Sequence, residues 1–335
     1  MNLGGLKLKE DVLSILKANA GEYVSGQFLS SQLKVSRTAI WKYINSLKEN
    51  GYIIESSSRK GYRIISSPDL ISMDEIKPFL KTKFIGRNII HFDSIESTNK
   101  KAKGLAAEGF EDGSTVTAEE QTSGRGRLGR HWVSPKHKGI WMSIILKPEL
   151  EPVNVPKITH ISAAAVITAL KKFNIDAAVK WPNDIIVNGK KICGILTEMS
   201  GEINRTDYVI VGIGINANLE VMDIPQDILN KASSLLIETS QVIDRKRLAA
   251  EVLNSFEHLY EDFLATGNLG VAIKICREHS VLLGREVRII SRQQEQTAKA
   301  IDISEDGGLT VQYPDGSIKT IISGEISVRG LNGYI

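Results

Sequence analysis

The sequence predicts an α+β protein of three regions, on three observations. Its 335 residues exceed what one typical core supports. Strands in its middle follow one another across short turns, so their sheet is mixed or antiparallel and not doubly wound. Its last part holds short alternating strands with no long helix between them, the pattern of a small β-barrel.

The first region spans residues 1–66. Val12, Leu13, Ile15 and Leu16 form the apolar stripe of a helix that stops before Gly21. Ser25 can cap a second helix with Phe28, Leu29 and Leu33 on one face. Ser36 can cap a third, where Ala39, Ile40, Tyr43, Ile44 and Leu47 make a buried stripe and Gly51 marks the stop. Its opposite face carries Arg37, Thr38, Trp41, Lys42, Asn45 and Ser46. Strands over 52–55 and 61–65 follow, joined by the polar turn Ser56-Ser-Ser-Arg-Lys60. Helix, helix, turn, helix, hairpin is the plan of a winged helix-turn-helix, with the helix-turn-helix at about residues 26–45. A recognition helix needs hydrogen-bonding groups for base edges and basic groups for phosphates. Arg37, Thr38, Lys42 and Asn45 provide these, and Arg59 and Lys60 stand at the wing tip. The alternative is a helical protein-interaction module.

A linker around Ser66-Ser-Pro-Asp69 leads to the central region, 80–270. Strands are expected over 115–118, 140–146, 178–181, 185–187, 191–198 and 208–215, and helices over 98–108, 157–173 and 245–264. Asn188-Gly189 between two apolar runs signals a hairpin. In the third region, 283–331, strands are expected over 285–291, 297–303, 309–313 and 317–322, with turns at Asp306-Gly-Gly308 and Pro314-Asp-Gly316.

Composition excludes several classes. Hydrophobic residues make up 42% and charged residues 24%, ordinary for a globular protein. Net charge is +3, so any contact with DNA must come from a local patch. Cys193 and Cys276 are the only cysteines, which fits a reducing compartment without a disulfide framework. The N-terminus lacks an apolar signal core, and no run of about 18 apolar residues is expected to span a bilayer. A cytoplasmic protein with no membrane partner is the expectation.

Two segments carry the chemistry. Gln121-Thr-Ser-Gly-Arg-Gly-Arg-Leu-Gly-Arg130 sets Arg125, Arg127 and Arg130 among glycines. Arginine forks suit carboxylate and phosphate oxygens, and glycine lets the backbone approach them. Such a loop would order around an anion; the alternative is a solvated basic turn. In Lys180-Trp-Pro-Asn-Asp184 a lysine and a carboxylate flank a rigid turn, and hairpin pairing would return Lys191 toward both. This is a polyphosphate site or a surface ion pair, and the arginine loop favours the first. Gly212-Ile-Gly-Ile-Asn-Ala217 follows a strand but no helix follows it, so the dinucleotide fingerprint does not apply. Asn216 closes that strand, within reach of a ligand or as a simple turn residue. Cys193 reads as a packed small hydrophobe, and His131 and His137 fit no common zinc spacing, so no protein-bound metal is expected. The chemistry is positioning plus electrostatics, as in nucleotidyl transfer.

Glu96-Ser-Thr-Asn99, the glycine–arginine loop over 124–130, Trp132-Val-Ser-Pro135, Lys180 to Asp184, Lys191-Ile-Cys-Gly-Ile-Leu196 and the run from Gly212 to Asn216 occur together in this order. In that combination the chain resembles the biotin–protein ligases, and the N-terminal winged helix resembles that of the bifunctional type that is also a biotin-operon repressor. The resemblance implies a class II synthetase-like central domain and an SH3-like barrel. It implies that biotin and ATP with Mg²⁺ form biotinyl-5′-adenylate. The acyl group then passes to a lysine on a biotin carboxyl carrier domain, that of acetyl-CoA carboxylase or another biotin-dependent carboxylase. It further implies that Ser97, Thr98, Asn99 and Gln121 bond the ureido end and chain of biotin. Arg125, Gly126 and Arg127 would close over carboxylate and phosphate. Lys191 would contact the activated carboxyl, with Asp184 the nearby acid, Lys180 on phosphate, Asn216 on the nucleotide, and Trp132 near adenine or ordering the loop. A ligand-promoted homodimer on operator DNA is also implied. Leu128 stands where such loops are sometimes basic. Competing readings are a lipoate–protein ligase, and a repressor that senses the adenylate without ligase activity.

Overall fold

The computed structural model describes residues 3–290, 295–322, 327–330 and 334–335, with the backbone alone for 3–7 and 10. Ser291, expected to end the first barrel strand, and residue 331, the expected end of the third region, lie outside the described residues. The chain forms two compact units, Met1–Leu70 and Ile71–Ile335.

In the first unit, α1 (Leu3–Ala18), α2 (Gly26–Leu33) and α3 (Arg37–Glu49) precede a hairpin of β1 (Ile53–Ser57) and β2 (Gly61–Ser66). Ser25 caps α2 by accepting from the Phe28 amide at 3.0 Å, and Ser36 caps α3 by accepting from the Ala39 amide at 3.2 Å. Val12, Leu13, Leu16, Leu29, Ile40, Ile44, Leu47, Ile54 and Ile64 form one core. Phe28 departs from expectation: it is 47% exposed. Leu29 and Leu33, four apart, define the inner face of α2, and Phe28 stands about 100° round from Leu29.

In the second unit α4 (Met73–Ile76) leads to β3 (Ile89–Phe92), α5 (Thr98–Ala107), β4 (Thr115–Ala118), β5 (Ile140–Leu146) and α6 (Val155–Lys171). After these come β6 (Ala178–Lys180), β7 (Asp184–Val187), β8 (Lys190–Glu202), β9 (Arg205–Ile215), α7 (Leu235–Thr239), α8 (Arg245–Thr266) and α9 (Gly270–Glu278). The seven-stranded sheet runs β3-β4-β5-β9-β8-β7-β6; only the β3–β4 pair is parallel, so the sheet is mixed as expected. Asn188 and Gly189 both have positive φ, +47° and +80°, as the tight hairpin between β7 and β8 requires.

Period-two alternation decides what each face carries. In β5, Met142 and Ile144 enter the main core under α6 and α8, while Trp141, Ser143 and Ile145 face the other way. In β9, Val211, Ile213 and Ile215 join that core, which leaves Gly212 and Gly214 on the opposite face. There α5 covers one end with Ala102, Leu105 and Ala106 against Val116, Ile145 and Ile210. Replacing a fully buried residue such as Ile213 by alanine costs about 2–5 kcal/mol. The segment Pro152–Lys171, containing α6, is long and apolar enough by composition to cross a membrane, which the sequence reading did not anticipate. Of its most apolar window, 67% is buried, as in a core helix. Arg245 and Glu119, both fully buried, pair at 2.9 Å; Arg245 also donates to the Gly139 carbonyl and Glu119 accepts from the Ile71 amide. With those partners the ion pair is tolerable in the core.

The remaining strands, β10 (Glu286–Ile290), β11 (Glu295–Ile303), β12 (Leu309–Gln312), β13 (Ile318–Ile321) and β14 (Ser327–Gly330), form an antiparallel sheet in the order β13-β12-β11-β10-β14. Trp181 Nε1 donates to the Gly307 carbonyl at 2.8 Å, tying this sheet to the β6–β7 turn. Strands β3 and β14 and helix α9 went unread in the sequence: the strands have four residues each, and α9 follows α8 after a short Gly-containing turn.

Candidate functional site

A cavity of about 470 Å³ opens on the glycine-bearing face of the sheet. A Cβ on Gly212 would stand 2.2 Å from Asn99 Oδ1, and one on Gly214 2.7 Å from Trp132 Nε1. Gly194 of β8, paired with Gly214, would meet the Trp132 ring at 3.0 Å. The missing side chains let Asn99 and Trp132 lie directly on the sheet backbone.

One end of the cavity is neutral and polar. Ser97 caps α5, which sets Thr98 and Asn99 on its first turn. The Thr98 amide and hydroxyl donate to Gln121 Oε1 at 2.9 and 3.1 Å, and Gln121 Nε2 donates to Ser134 Oγ at 2.9 Å. Asn99 Nδ2 donates to Glu198 Oε2 at 2.7 Å. The Ser143 hydroxyl donates to Asn99 Oδ1 at 2.6 Å and lies 2.8 Å from Thr98 Oγ1. Ser143 and Glu198 escaped the sequence reading, although a lone serine in the run Ile140-Trp-Met-Ser-Ile-Ile-Leu146 was a usable signal.

The other end is cationic. Lys180 ends β6 directly opposite Asp184, which begins β7. Lys191, near the start of β8, forms an ion pair with Asp184, and its ammonium lies 5.1 Å from the Trp132 ring centroid. Burial would raise the Asp184 carboxyl, but the charge and hydrogen bond of Lys191, the Tyr334 hydroxyl and Lys180 together bring it below the usual carboxylate range. Burial lowers the Lys180 ammonium to about 8, against the pull of Asp184. Burial also lowers the Arg127 guanidinium, which donates to Asn183 Oδ1 at 3.0 Å. Arg125 is exposed at the mouth, 3.9 Å from Glu96 Oε1. Tyr334 was not foreseen: its hydroxyl donates to Asp184 Oδ2 at 2.5 Å and its ring lies 3.6 Å from Lys180 Nζ. No sequence spacing connects positions 150 residues apart.

The arginine loop carries backbone bonds of its own. The Gly126 amide donates to the Arg130 carbonyl at 2.7 Å and the Trp132 amide to Gly124 at 2.9 Å, around a turn in which Leu128 has φ +57°. Asn216 is buried; its Nδ2 donates to the Ser233 carbonyl at 2.9 Å. Its Oδ1 and the Trp132 Nε1–H, both on cavity-lining side chains, have no hydrogen-bond partner among the described residues. A glycine cradle, orphaned buried polar atoms and a cationic end suit a ligand with a neutral polar head, an apolar stem and an anion. The structure thus brings Ser97, Thr98, Asn99, Gln121, Arg125, Gly126, Arg127, Trp132, Lys180, Asp184, Lys191 and Asn216 around one cavity. Cys193 packs in the core, its thiol pushed up by burial.

In the separate N-terminal unit, α3 exposes Arg37, Thr38, Trp41 and Lys42, while Asn45 is half-buried. Arg59 and Lys60 are exposed in the turn between β1 and β2. Lys60 Nζ lies 5.5 Å from the Tyr23 ring centroid, and Arg63 pairs with Glu55 at 2.6 Å. The hairpin thus holds a basic, exposed turn against Tyr23.

Three family models match: the biotin/lipoate A/B protein ligase family over residues 91–216, an HTH domain over 9–63, and the biotin protein ligase C terminal domain over 282–329. The chain is 37% identical over 322 residues to the bifunctional ligase/repressor BirA of Bacillus subtilis, covering 96% of this chain and 98% of that protein. It is 30% identical over 318 residues to BirA of Escherichia coli, covering 95% and 96%. Among solved structures it is similar to the biotin protein ligase of Aquifex aeolicus in complex with biotin and ATP. There the TM-score is 0.63 and identity 32%, covering 73% of this chain and 99% of that one.

Proposed function

This chain belongs to the biotin–protein ligase family, and from that premise we propose how its cavity performs the reaction. It is a bifunctional biotin ligase and repressor that takes biotin and ATP as substrates. A biotin carboxylate oxygen attacks the α-phosphorus of ATP; pyrophosphate leaves and biotinyl-5′-adenylate forms. A lysine ε-amine of a carrier domain then attacks the acyl carbon, and AMP leaves.

The observation that carries this reading is the polarity of the cavity. Thr98, Asn99, Ser143 and Gln121 offer a neutral hydrogen-bonding end for the ureido ring. Ser97 belongs to the same turn of α5. The glycine floor with Trp132 takes the valeryl chain, and Lys180, Lys191 and Arg127 surround the place where two anions meet. Those cations offset the repulsion between carboxylate and phosphates and stabilise the charge that builds in displacement. Asp184 keeps Lys191 oriented through both half-reactions. Asn216 bonds the nucleotide with its unpaired Oδ1, and Trp132 serves the adenine side or the loop. The turn containing Arg125, Gly126 and Arg127 closes over the mixed anhydride and keeps water from it.

No group of three or more His, Cys, Asp or Glu among the described residues could hold a metal ion. In this reading Mg²⁺ would arrive on the ATP phosphates, where it would neutralise charge. In this reading residues 1–66 bind operator DNA through Arg37, Thr38, Lys42, Asn45, Arg59 and Lys60. Residues 80–270 catalyse, 283–331 form the C-terminal barrel, and occupancy of the cavity promotes a homodimer. The carrier is the biotin-accepting domain of acetyl-CoA carboxylase or of another biotin-dependent carboxylase.

Purified protein with biotin, MgATP and a carrier domain should yield a streptavidin-reactive carrier band. No band where a control ligase gives one would refute the ligase reading and leave an adenylate-sensing repressor. Lipoate offered in competition should not label: it has no ureido group, so the polar end would keep unpaired donors and acceptors.

A further inference from the structure

Lys180 and Asp184 face each other across the first pair of the β6–β7 hairpin, the closest cross-strand relation a sheet offers. Opposite charges so placed in a buried site would be expected to pair, yet Lys180 forms no ion pair among the described residues, and Asp184 is paired with Lys191 instead. Tyr334 stands at both groups. Its ring takes the Lys180 ammonium at 3.6 Å from the centroid, and its hydroxyl donates to Asp184 Oδ2 at 2.5 Å. One aromatic side chain therefore satisfies a cation with its face and an anion with its edge.

We propose that Tyr334 is a positioning residue for adenylate formation: it separates Lys180 from Asp184, leaving the ammonium for phosphate oxygens and the carboxylate for Lys191. The proposal rests on the ligase reading of this cavity. Tyr334 lies beyond residues 282–329, the span of the matched C-terminal model. A cation held against a ring is given up to an incoming phosphate far more readily than one locked to a buried carboxylate. The hydroxyl, in turn, keeps the Asp184 oxygen that faces away from Lys191 from seeking Lys180. The groups acting on Asp184 are Lys191 from β8, Lys180 from β6, Arg127 from the loop, the Cys193 thiol behind it, and Tyr334. Arg329 and Arg130 also act on Lys180.

The test uses the full chain with Tyr334→Phe, which keeps the ring, and Tyr334→Leu, which keeps neither function. Thermal melting should stay close to that of the parent for Phe. Pyrophosphate exchange should show kcat down about tenfold for Phe, with KM for biotin and ATP within about twofold. For Leu, KM for ATP should also rise about tenfold, because Lys180 falls back onto Asp184. The acid limb of the rate profile should move upward in Phe, and so should the ligand-free titration of ¹³C-labelled Asp184. Unchanged kcat and an unmoved Asp184 titration in Phe would overturn the proposal. Faster adenylation in either variant would do so as well, since the side chain would then merely obstruct the site. The ligand-free titration separates this outcome from failure of the ligase reading, which would show as no pyrophosphate exchange in the parent.

Discussion

Lys180 shows what the proposed phosphate site asks of a single residue. It is 5% exposed, and burial holds its ammonium at about 8 against an ordinary lysine value of 10.5. The depressed value means the unfolded chain keeps this proton more tightly than the folded one. Below about pH 8 the folded state carries the full cost of the buried charge; that cost is relieved as pH rises from about 8 toward 10.5. Lys180→Met should therefore stabilise the ligand-free protein near neutral pH by about 3 kcal/mol, an order-of-magnitude figure, with the gain shrinking near pH 10. The same variant should lose most of its adenylation. Denaturant melts at the two pH values check the first part and pyrophosphate exchange the second. A melt unchanged at neutral pH would refute the burial argument. Lys180, Asp184 and Lys191 could be read from the sequence because turns fixed how neighbouring strands pair. Tyr334 could not be placed by such local rules, since it reaches Asp184 across 150 residues, and no local pairing brings Ser143 and Glu198 to Asn99.

Strand β9 does its part through what it omits. The run Ile210-Val-Gly-Ile-Gly-Ile215 alternates core residues with glycine, so one face packs under α6 while the other stays flat for Asn99 and Trp132. Gly214→Ala would put a Cβ 2.7 Å from Trp132 Nε1, against an indole held between Gly194, Gly214 and Lys191. The strand itself should tolerate alanine, so the indole moves instead, and with it the turn that Trp132 ties to Gly124. Overpacking of this kind costs about 1–3 kcal/mol of stability, so the melting temperature should fall by several degrees, and the displaced indole should lower biotin affinity roughly tenfold or more. Calorimetric titration with biotin decides it, and parental affinity would show that Trp132 does not set the cavity floor. The glycine–arginine loop was visible as an anion cradle from composition, but its Gly126–Arg130 closure and its packing on the sheet depend on Gly194 and Gly214, far along the chain. Long periodic elements such as α6 and α8 were legible; β3, a four-residue parallel edge strand, was not.

At the scale of the whole molecule, a net charge of +3 cannot by itself hold DNA. In the proposed reading affinity comes from the N-terminal unit, where Arg37 and Lys42 on α3 and Arg59 and Lys60 in the β1–β2 turn are exposed. Each cation that neutralises a backbone phosphate releases a counterion, so its loss should lower the slope of log affinity against log salt by about one. Arg37→Ala and Lys42→Ala should each weaken operator binding in this way while carrier biotinylation proceeds at the parental rate. If biotinyl-adenylate in the cavity favours a dimer, and two winged helices bind one palindrome, the ligand and DNA are thermodynamically linked. The factor by which adenylate tightens DNA must then equal the factor by which DNA tightens adenylate. A coupling of about 1–3 kcal/mol would appear as roughly a 5- to 150-fold shift in both titrations. Operator titrations with and without biotinyl-adenylate, paired with adenylate dissociation measured with and without operator, test this reciprocity directly. Equal DNA affinity in both ligand states would leave the two activities on one chain without communication.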